Sequence, residues 1–251
     1  MTGLRRLFVA LAKFVGDLRS NPENRRPSTV DGASREKDAL FSEERAIQVP
    51  PRLRVSGAIE VVFHQFPESQ LRVAVEDPVL LQCVRTSLEE GALVIEMEPE
   101  IFTVTRRGSS GTPIRDMDLV TAGRKGRVIV GIAAPNLHEV RVLGDAKVDL
   151  ANLNATVLEL SVAGTGRIHG RGTCSNLTAE AVGSGSISCN ALSASSVRCS
   201  VSGAGSIRIT ATSMIRARAA GSGVISVLGD PLERDVGTSG AGSIEFKQGA
   251  L

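Results

Sequence analysis

The spacing of apolar side chains changes along the chain, and each spacing predicts a different element. Apolar residues within 4–18 recur at three- and four-residue intervals, and the opposite face is mostly basic, as in an amphipathic helix. We expect this helix over residues 1–19. Residues 20–46 are rich in Asn, Pro, Arg, Ser and Glu, which predicts a disordered linker. The folded domain is then expected over residues 47–248.

Beyond residue 50 the apolar side chains alternate with polar ones, which is the spacing of a β-strand. The alternation covers residues 53–63, 71–75 and 93–97, with turn-forming residues between these segments. Residues 105–127 instead carry basic side chains among glycines. This composition predicts a long exposed loop within the β domain.

From residue 128 onward the sequence repeats itself with a period of 18 to 20 residues. The repeated unit is Gly-x-Gly, preceded and followed by short alternating segments, and its first copy, at Gly144, is degenerate. We interpret each unit as a tight turn between two strands, because glycine accepts the positive φ that such turns need. The predicted turn residues are Gly144, Gly164, Gly166, Gly183, Gly185, Gly203, Gly205, Gly221, Gly223, Gly240 and Gly242.

Alignment of the repeats produces columns of apolar residues. Four positions after the first glycine of each copy stand Val148, Ile168, Ile187, Ile207, Ile225 and Ile244. Two and four positions before that glycine most residues are also small or apolar, and polar residues lie between them. A single unit cannot bury such a face, but stacked copies bury one another's. The sequence therefore predicts an all-β fold, a parallel β-solenoid with about 19 to 20 residues per coil.

The domain also resembles a known family. The segment 128–137, followed by Val140–Gly144 and then the Gly-x-Gly series, resembles the bacterial head GIN domains that are labelled putative autotransporter adhesins. Residues 53–61 are similar to that family's opening strand, so the resemblance covers about residues 47–248. It implies a right-handed β-helix of two sheets, an exported or cell-envelope location, and a role in adhesion or surface interaction without catalysis.

Composition narrows the possible partners and chemistry. A formal net charge of +2 provides no extended field for nucleic acid, and an aromatic content of 3% provides few rings for stacking bases. Nucleic acid is therefore not an expected partner. The four cysteines form no Cys-x-x-Cys pair, and we interpret them as free thiols rather than as metal ligands or disulfides. No cofactor is expected.

A search for catalytic groups favours a protein that is not an enzyme. Glycan lyases built on β-helices need acidic side chains in neighbouring coils to hold calcium. Asp145 and Asp149 point the same way from one strand, but the next coil has Thr165 and His169 at these positions. The three histidines lack metal-ligand spacing. A glycan-acting enzyme is accordingly the least favoured of three hypotheses, and we predict no catalytic or metal-binding residue.

Two surface features remain as candidate binding sites. Arg198, Arg216 and Arg218 are predicted to point outward from neighbouring coils, with Arg208 on the opposite strand, as a modest basic patch for an anionic glycan or an acidic protein. The alternative is ordinary solvation. Self-association through an open solenoid end is a further candidate, unless Phe246 caps that end.

The leading hypothesis is a non-enzymatic binding or structural module at the bacterial cell envelope, with a protein or a glycan as partner. The second is a cytoplasmic scaffold peripheral to the membrane, held there by residues 4–18. The second hypothesis stays open because the N-terminal segment shows no clear signal peptide: Lys13 interrupts its apolar stretch.

Overall fold

The computed structural model describes residues 40–98, 106–107, 113–114 and 126–247. The predicted helix over residues 1–19 and most of the predicted linker lie outside these residues. Within the described chain the elements are β1 (Phe41–Arg45), β2 (Arg52–Ser56), β3 (Glu60–Gln65), β4 (Gln70–Val75), α1 (Leu80–Cys83), β5 (Val84–Glu89), β6 (Ala92–Met97), β7 (Arg106–Arg107), β8 (Pro113–Ile114) and β9 (Val128–Ala134). The repeat region follows as β10 (Glu139–Gly144), β11 (Lys147–Gly164), β12 (Arg167–Gly183), β13 (Ser186–Gly203), β14 (Ser206–Gly221), β15 (Val224–Leu228), β16 (Glu233–Gly240) and β17 (Ser243–Lys247).

The repeat region forms a β-solenoid of about five turns with about 20 residues per turn, and the fold contains almost no helix. Strands β11 to β14 are 16 to 18 residues long, and each pairs in parallel with the next. Because the paired residues are one repeat apart, the chain completes one turn between them. We call the strand segments that follow the glycines the post-glycine wall, and those that lead into them the pre-glycine wall.

The apolar columns lie inside the coil. Val148, Ile168, Ile187, Ile207, Ile225 and Ile244 are directly opposite one another on successive strands of the post-glycine wall. The first five are at most 1% exposed, and Ile244 in the last coil is partly buried. Val61 and Val130 continue the same column toward the N-terminal end. The alternation of apolar and polar residues thus reflects burial on one side of each strand.

The inward pattern fails only in the last described coil. On the pre-glycine wall Ala179, Cys199 and Ala217 are at most 2% exposed, but Val236, in the same column, is 46% exposed. Thr238, two residues further along β16, is exposed as well. The difference arises because no strand of the described chain lies on the outer edge of β16.

The described parts of residues 66–135 form an insertion between two coils. Strands β2 and β3 make a coil of their own, with Gly57 at positive φ between them, and they pair with β10 and β11. The insertion adds strands to this coil: β6 pairs in parallel with β2, and β9 pairs in parallel with β3. Beyond them, β5 pairs antiparallel with β6, and β4 pairs antiparallel with β9. The sequence predicted strands here but not this pairing.

Strands occur in two segments that the sequence predicted to lack them. Strand β1 lies inside the segment predicted as a linker and pairs antiparallel with β4, so the β domain begins at or before Phe41 rather than at residue 47. Within the predicted loop 105–127, β7 pairs with β8 as a short antiparallel ladder.

The glycines of each repeat have two different environments. The first glycine ends a strand and has positive φ in every copy from Gly144 to Gly240. The second glycine does not have positive φ, but its Cα lies against the preceding coil. A Cβ on Gly185, for example, would lie 2.4 Å from Cγ1 of Val162. Both positions therefore exclude side chains: the first by its conformation and, from Gly164 onward, also by contact with the glycine one repeat earlier, and the second by contact alone.

Candidate functional site

The interior of the coil is filled by side chains. The columns of the two walls belong to one cluster of buried residues that includes Cys189 and Cys199. Packing adapts to the thiols: Gly170 lies opposite the sulfur of Cys189, and a Cβ there would lie only 2.8 Å from Sγ. An interior of this kind leaves binding to the outer walls and the ends.

The predicted basic patch is only partly assembled. Arg198 and Arg216 lie directly opposite each other on the pre-glycine wall, and Arg218 is two residues further along the same strand. Arg208 lies on the post-glycine wall between Ser188 and Ser226. The four arginines therefore do not form one patch, because the two walls face different directions.

A carboxylate also neutralises part of this patch. Asp235 accepts from Nη2 of Arg218 at 2.6 Å and from Nε of Arg216 at 2.8 Å. Hydrogen bonds from Arg218 and then Arg216 hold the pKa of Asp235 below its ordinary value. The sequence did contain the signal for this contact, since Asp235 is one repeat beyond Arg216 and pairs directly with it. Of the three arginines of the predicted patch that lie on this wall, Arg198 alone makes no ion pair with a described residue.

The same wall carries acidic groups nearer the N-terminal end. Glu139 and Glu159 lie opposite each other in the column that continues to Arg198 and Arg216. The Glu139 side chain is 12% exposed and forms ion pairs with Arg141 and with Arg52, the latter at 3.3 Å. This column of the pre-glycine wall thus changes from carboxylates to guanidinium groups along the solenoid. Ion pairs with Arg52 and Arg141 at one end, and with Asp235 at the other, offset part of these charges.

Two shallow grooves meet at His138, where the insertion joins the first coils. One, of about 410 Å³, is lined by Arg52, His138, Glu139, Thr156, Val157 and Glu159. The other, of about 460 Å³, is lined by residues that include Pro50, Pro51, Leu88, Pro135 and Asn136. Leu88 and Val157 are exposed by 57% and 44%. Sequence reasoning missed these grooves because their residues come from five separated segments without a shared motif.

The post-glycine wall brings three residue types of a hydrolase triad onto successive strands. Asp149 lies opposite His169, and His169 lies opposite Ser188. A triad needs a hydrogen bond between base and nucleophile. Here the Ser188 hydroxyl donates to Oδ1 of Asn190 at 3.2 Å instead. Burial raises the pKa of Asp149, and the charges of His169 and Arg171 oppose that shift. This geometry supports an electrostatic cluster rather than a nucleophile.

Metal and thiol chemistry have no site in the described chain. Its His, Cys, Asp and Glu side chains nowhere come together in a group of three that could hold a metal ion. All four cysteines are buried and none forms a disulfide, and burial raises the pKa of both the Cys189 and the Cys199 thiol to about 12. These thiols contribute to packing, in agreement with their inward positions.

The described residues contain no helix long and apolar enough to cross a membrane.

These observations define the class of protein. It is a filled β-solenoid with polar outer walls, and its described residues contain no catalytic constellation. The family follows from comparison with known proteins. The model of the family described as "Putative auto-transporter adhesin, head GIN domain" matches residues 50–231, and the chain belongs to this family.

A solved structure shows the same fold. A putative adhesin from Bacteroides fragilis is 17% identical, with a TM-score of 0.60, and the match covers 84% of this chain and 98% of that one. A putative adhesin from Parabacteroides merdae is also 17% identical, with a TM-score of 0.46 and coverage of 84% and 97%. No curated protein shows significant similarity to the sequence. The structural likeness of the first relative supports the fold alone.

Proposed function

We propose that the protein is a non-enzymatic module that binds a protein or glycan partner at the bacterial cell envelope. The observation that carries this proposal is the filled interior, which leaves the outer surface of the solenoid as the place for binding. Membership of an adhesin-like family supports the same role. In this proposal the coil is right-handed, as parallel crossover connections almost always are, and the Gly-x-Gly pairs form its corners.

We place the partner contact at the paired grooves around His138 on the pre-glycine wall. This region combines exposed apolar side chains, Leu88 and Val157, with the charged pair of Arg52 and Glu139. Binding surfaces commonly have an apolar centre with a polar rim. The residual charge at Arg198 gives a weaker second candidate, because Asp235 neutralises its neighbours.

A matched pair of variants tests this placement. Val157 and Val182 are both outward valines of the pre-glycine wall, exposed by 44% and 42%, but only Val157 lines a groove. We expect Val157→Arg to weaken binding of the purified protein to cell-envelope fragments of the bacterium that makes it, and Val182→Arg to leave binding unchanged. Equal binding by both variants and the wild type would contradict the placement.

Cell fractionation separates the leading function from the membrane-peripheral scaffold. The full chain and a chain without residues 4–18 are expressed, and each is located by immunoblotting. Export or surface exposure of the full chain supports the envelope module. Recovery at the cytoplasmic face, with release when residues 4–18 are removed, supports the scaffold, because the apolar stripe of that segment would then bind the membrane.

A further inference from the structure

The C-terminal end of the solenoid presents two strand edges. Among the described residues, β16 pairs only with β14, and β17 pairs only with β15. The inward side chains Val236 and Thr238 are exposed there, while Ile244 and Phe246 are partly buried. Unpaired edges beside apolar side chains are a template for a second copy of the same chain. This end therefore needs either a partner or a feature that prevents pairing.

One inward column of apolar residues ends at a charged residue on the edge strand β16. Leu158, Leu177, Val197 and Ile215 lie directly opposite one another and are at most 2% exposed. The next member, opposite Ile215, is Arg234. An inward-pointing charged side chain on an edge strand is one of the devices that blocks pairing between sheets.

The Arg234 side chain is anchored across the end of the core. Its guanidinium carbon lies 4.4 Å from the centroid of the Phe246 ring, a cation–π contact between the two walls. Its Nε donates to the carbonyl oxygen of Pro231 at 3.0 Å, and its Nη2 donates to the carboxylate of Asp230. The guanidinium is therefore held over the apolar end by contacts on several sides.

We infer that Arg234 caps the C-terminal end of the solenoid and prevents end-to-end docking of a second copy. Docking would bury the guanidinium and the Asp230 carboxylate between two apolar cores, and the loss of their hydration opposes association. Terminal repeats with a polar outer face have this role in other repeat proteins. The inference goes beyond the proposed function, because it concerns assembly and does not depend on which partner the grooves bind.

The substitution Arg234→Val tests the cap, because valine continues the aliphatic column and removes the charge. We expect the variant to associate with rising concentration, with an association constant roughly tenfold or more above that of the wild type. Sedimentation equilibrium measures the shift from the 26.3 kDa chain mass. Arg216→Val is the matched control, since Arg216 also pairs with an aspartate but points outward from the wall. Its association should equal that of the wild type.

A second substitution shows where association occurs. Val236→Lys, added to Arg234→Val, returns a charge to the same end and should abolish the new association. Ser202→Lys, added to Arg234→Val, places the same charge on the exposed wall away from the end and should not. Unchanged association of Arg234→Val, or association that Val236→Lys does not reverse, overturns the inference. If circular dichroism shows that the valine variant is unfolded, Arg234→Met, which keeps the length of the side chain, takes its place.

Discussion

At the scale of single residues, the two glycines of each repeat are required for different reasons. Gly203 has a φ of +110°, which favours glycine over residues with a Cβ. Gly205 does not have positive φ, but a Cβ there would lie 2.8 Å from the carbonyl oxygen of Gly185. Sequence reasoning explained both by backbone conformation. Only the structure shows that the second glycine allows close approach of successive coils.

Steric contact and backbone strain both reduce the unfolding free energy when a glycine is replaced. The two effects can be separated by comparing two glycines that both have positive φ. A Cβ at Gly203 would lie 2.7 Å from the carbonyl oxygen of Gly183, whereas a Cβ at Gly91, with a φ of +75°, has no atom within 4 Å. We expect Gly91→Ala to cost about 1 kcal/mol of unfolding free energy from backbone strain alone. Gly203→Ala should cost about 3 kcal/mol or more, because strain and overpacking add. Urea unfolding measures both, and equal losses would contradict the clash.

The buried cysteines give a second prediction at this scale. Burial raises the pKa of Cys189 and Cys199 to about 12 and also raises that of Cys174. Since the thiolate is the reactive form, we expect these thiols of the folded protein to react very slowly with Ellman's reagent at neutral pH. All four should react promptly in denaturant. Rapid reaction of two or more thiols in the folded state would show that the inward assignment is wrong.

At the scale of the strand, neighbouring positions have opposite environments. Ile207 is fully buried in the column of the post-glycine wall, while the next residue, Arg208, is exposed. Both pair in register with residues of the coils on either side. Because the side-chain period of a strand is two, a change at one position affects the core and a change at the other affects the solvent face.

This contrast predicts the outcome of the same substitution at two adjacent residues. Ile207→Asp removes an aliphatic contact and buries a carboxylate without a partner, so we expect a loss above about 4 kcal/mol and unfolding of the C-terminal half. Arg208→Asp should change stability by no more than about 0.5 kcal/mol. Thermal melting followed by circular dichroism compares the two. A wild-type melting curve for Ile207→Asp would refute the inward position of this column.

The strands of the repeat region could be predicted from the sequence because stacking imposes the same spacing on every coil. The column from Val148 to Ile225 is visible in the sequence and buried in the structure. Two features carried no comparable signal. The pairing of β4 with β9 joins segments more than 50 residues apart, and the grooves at His138 combine short segments without a repeat. Contacts that do not follow the period cannot be derived from it.

At the scale of the whole molecule, the two ends of the solenoid differ. Toward the N-terminal end, β9 has neighbours on both edges, because β3 pairs with one edge and β4 with the other. At the C-terminal end, β16 and β17 each pair on one edge only within the described chain. The insertion thus adds strands beyond the first coil, and the outermost strands there, β1 and β5, also pair on one edge only within the described chain. At the other end the last coil itself forms the edge, Val236 and Thr238 are exposed, and Arg234 lies over the ring of Phe246. Local opening should therefore begin at the C-terminal coil.

Hydrogen exchange read out by mass spectrometry tests this asymmetry. We expect peptides from β16 and β17 to exchange first, β9 to be better protected, and the central strands β12 and β13 to be protected most, since they have neighbours on both edges along most of their length. The wild type should show this order at every protein concentration, because Arg234 prevents docking at the open edge. In Arg234→Val, rising concentration should protect β16 and β17 selectively. Protection of these strands in the dilute wild type would mean that another segment or copy already covers the end. This result would contradict the inference that Arg234 caps an otherwise open end.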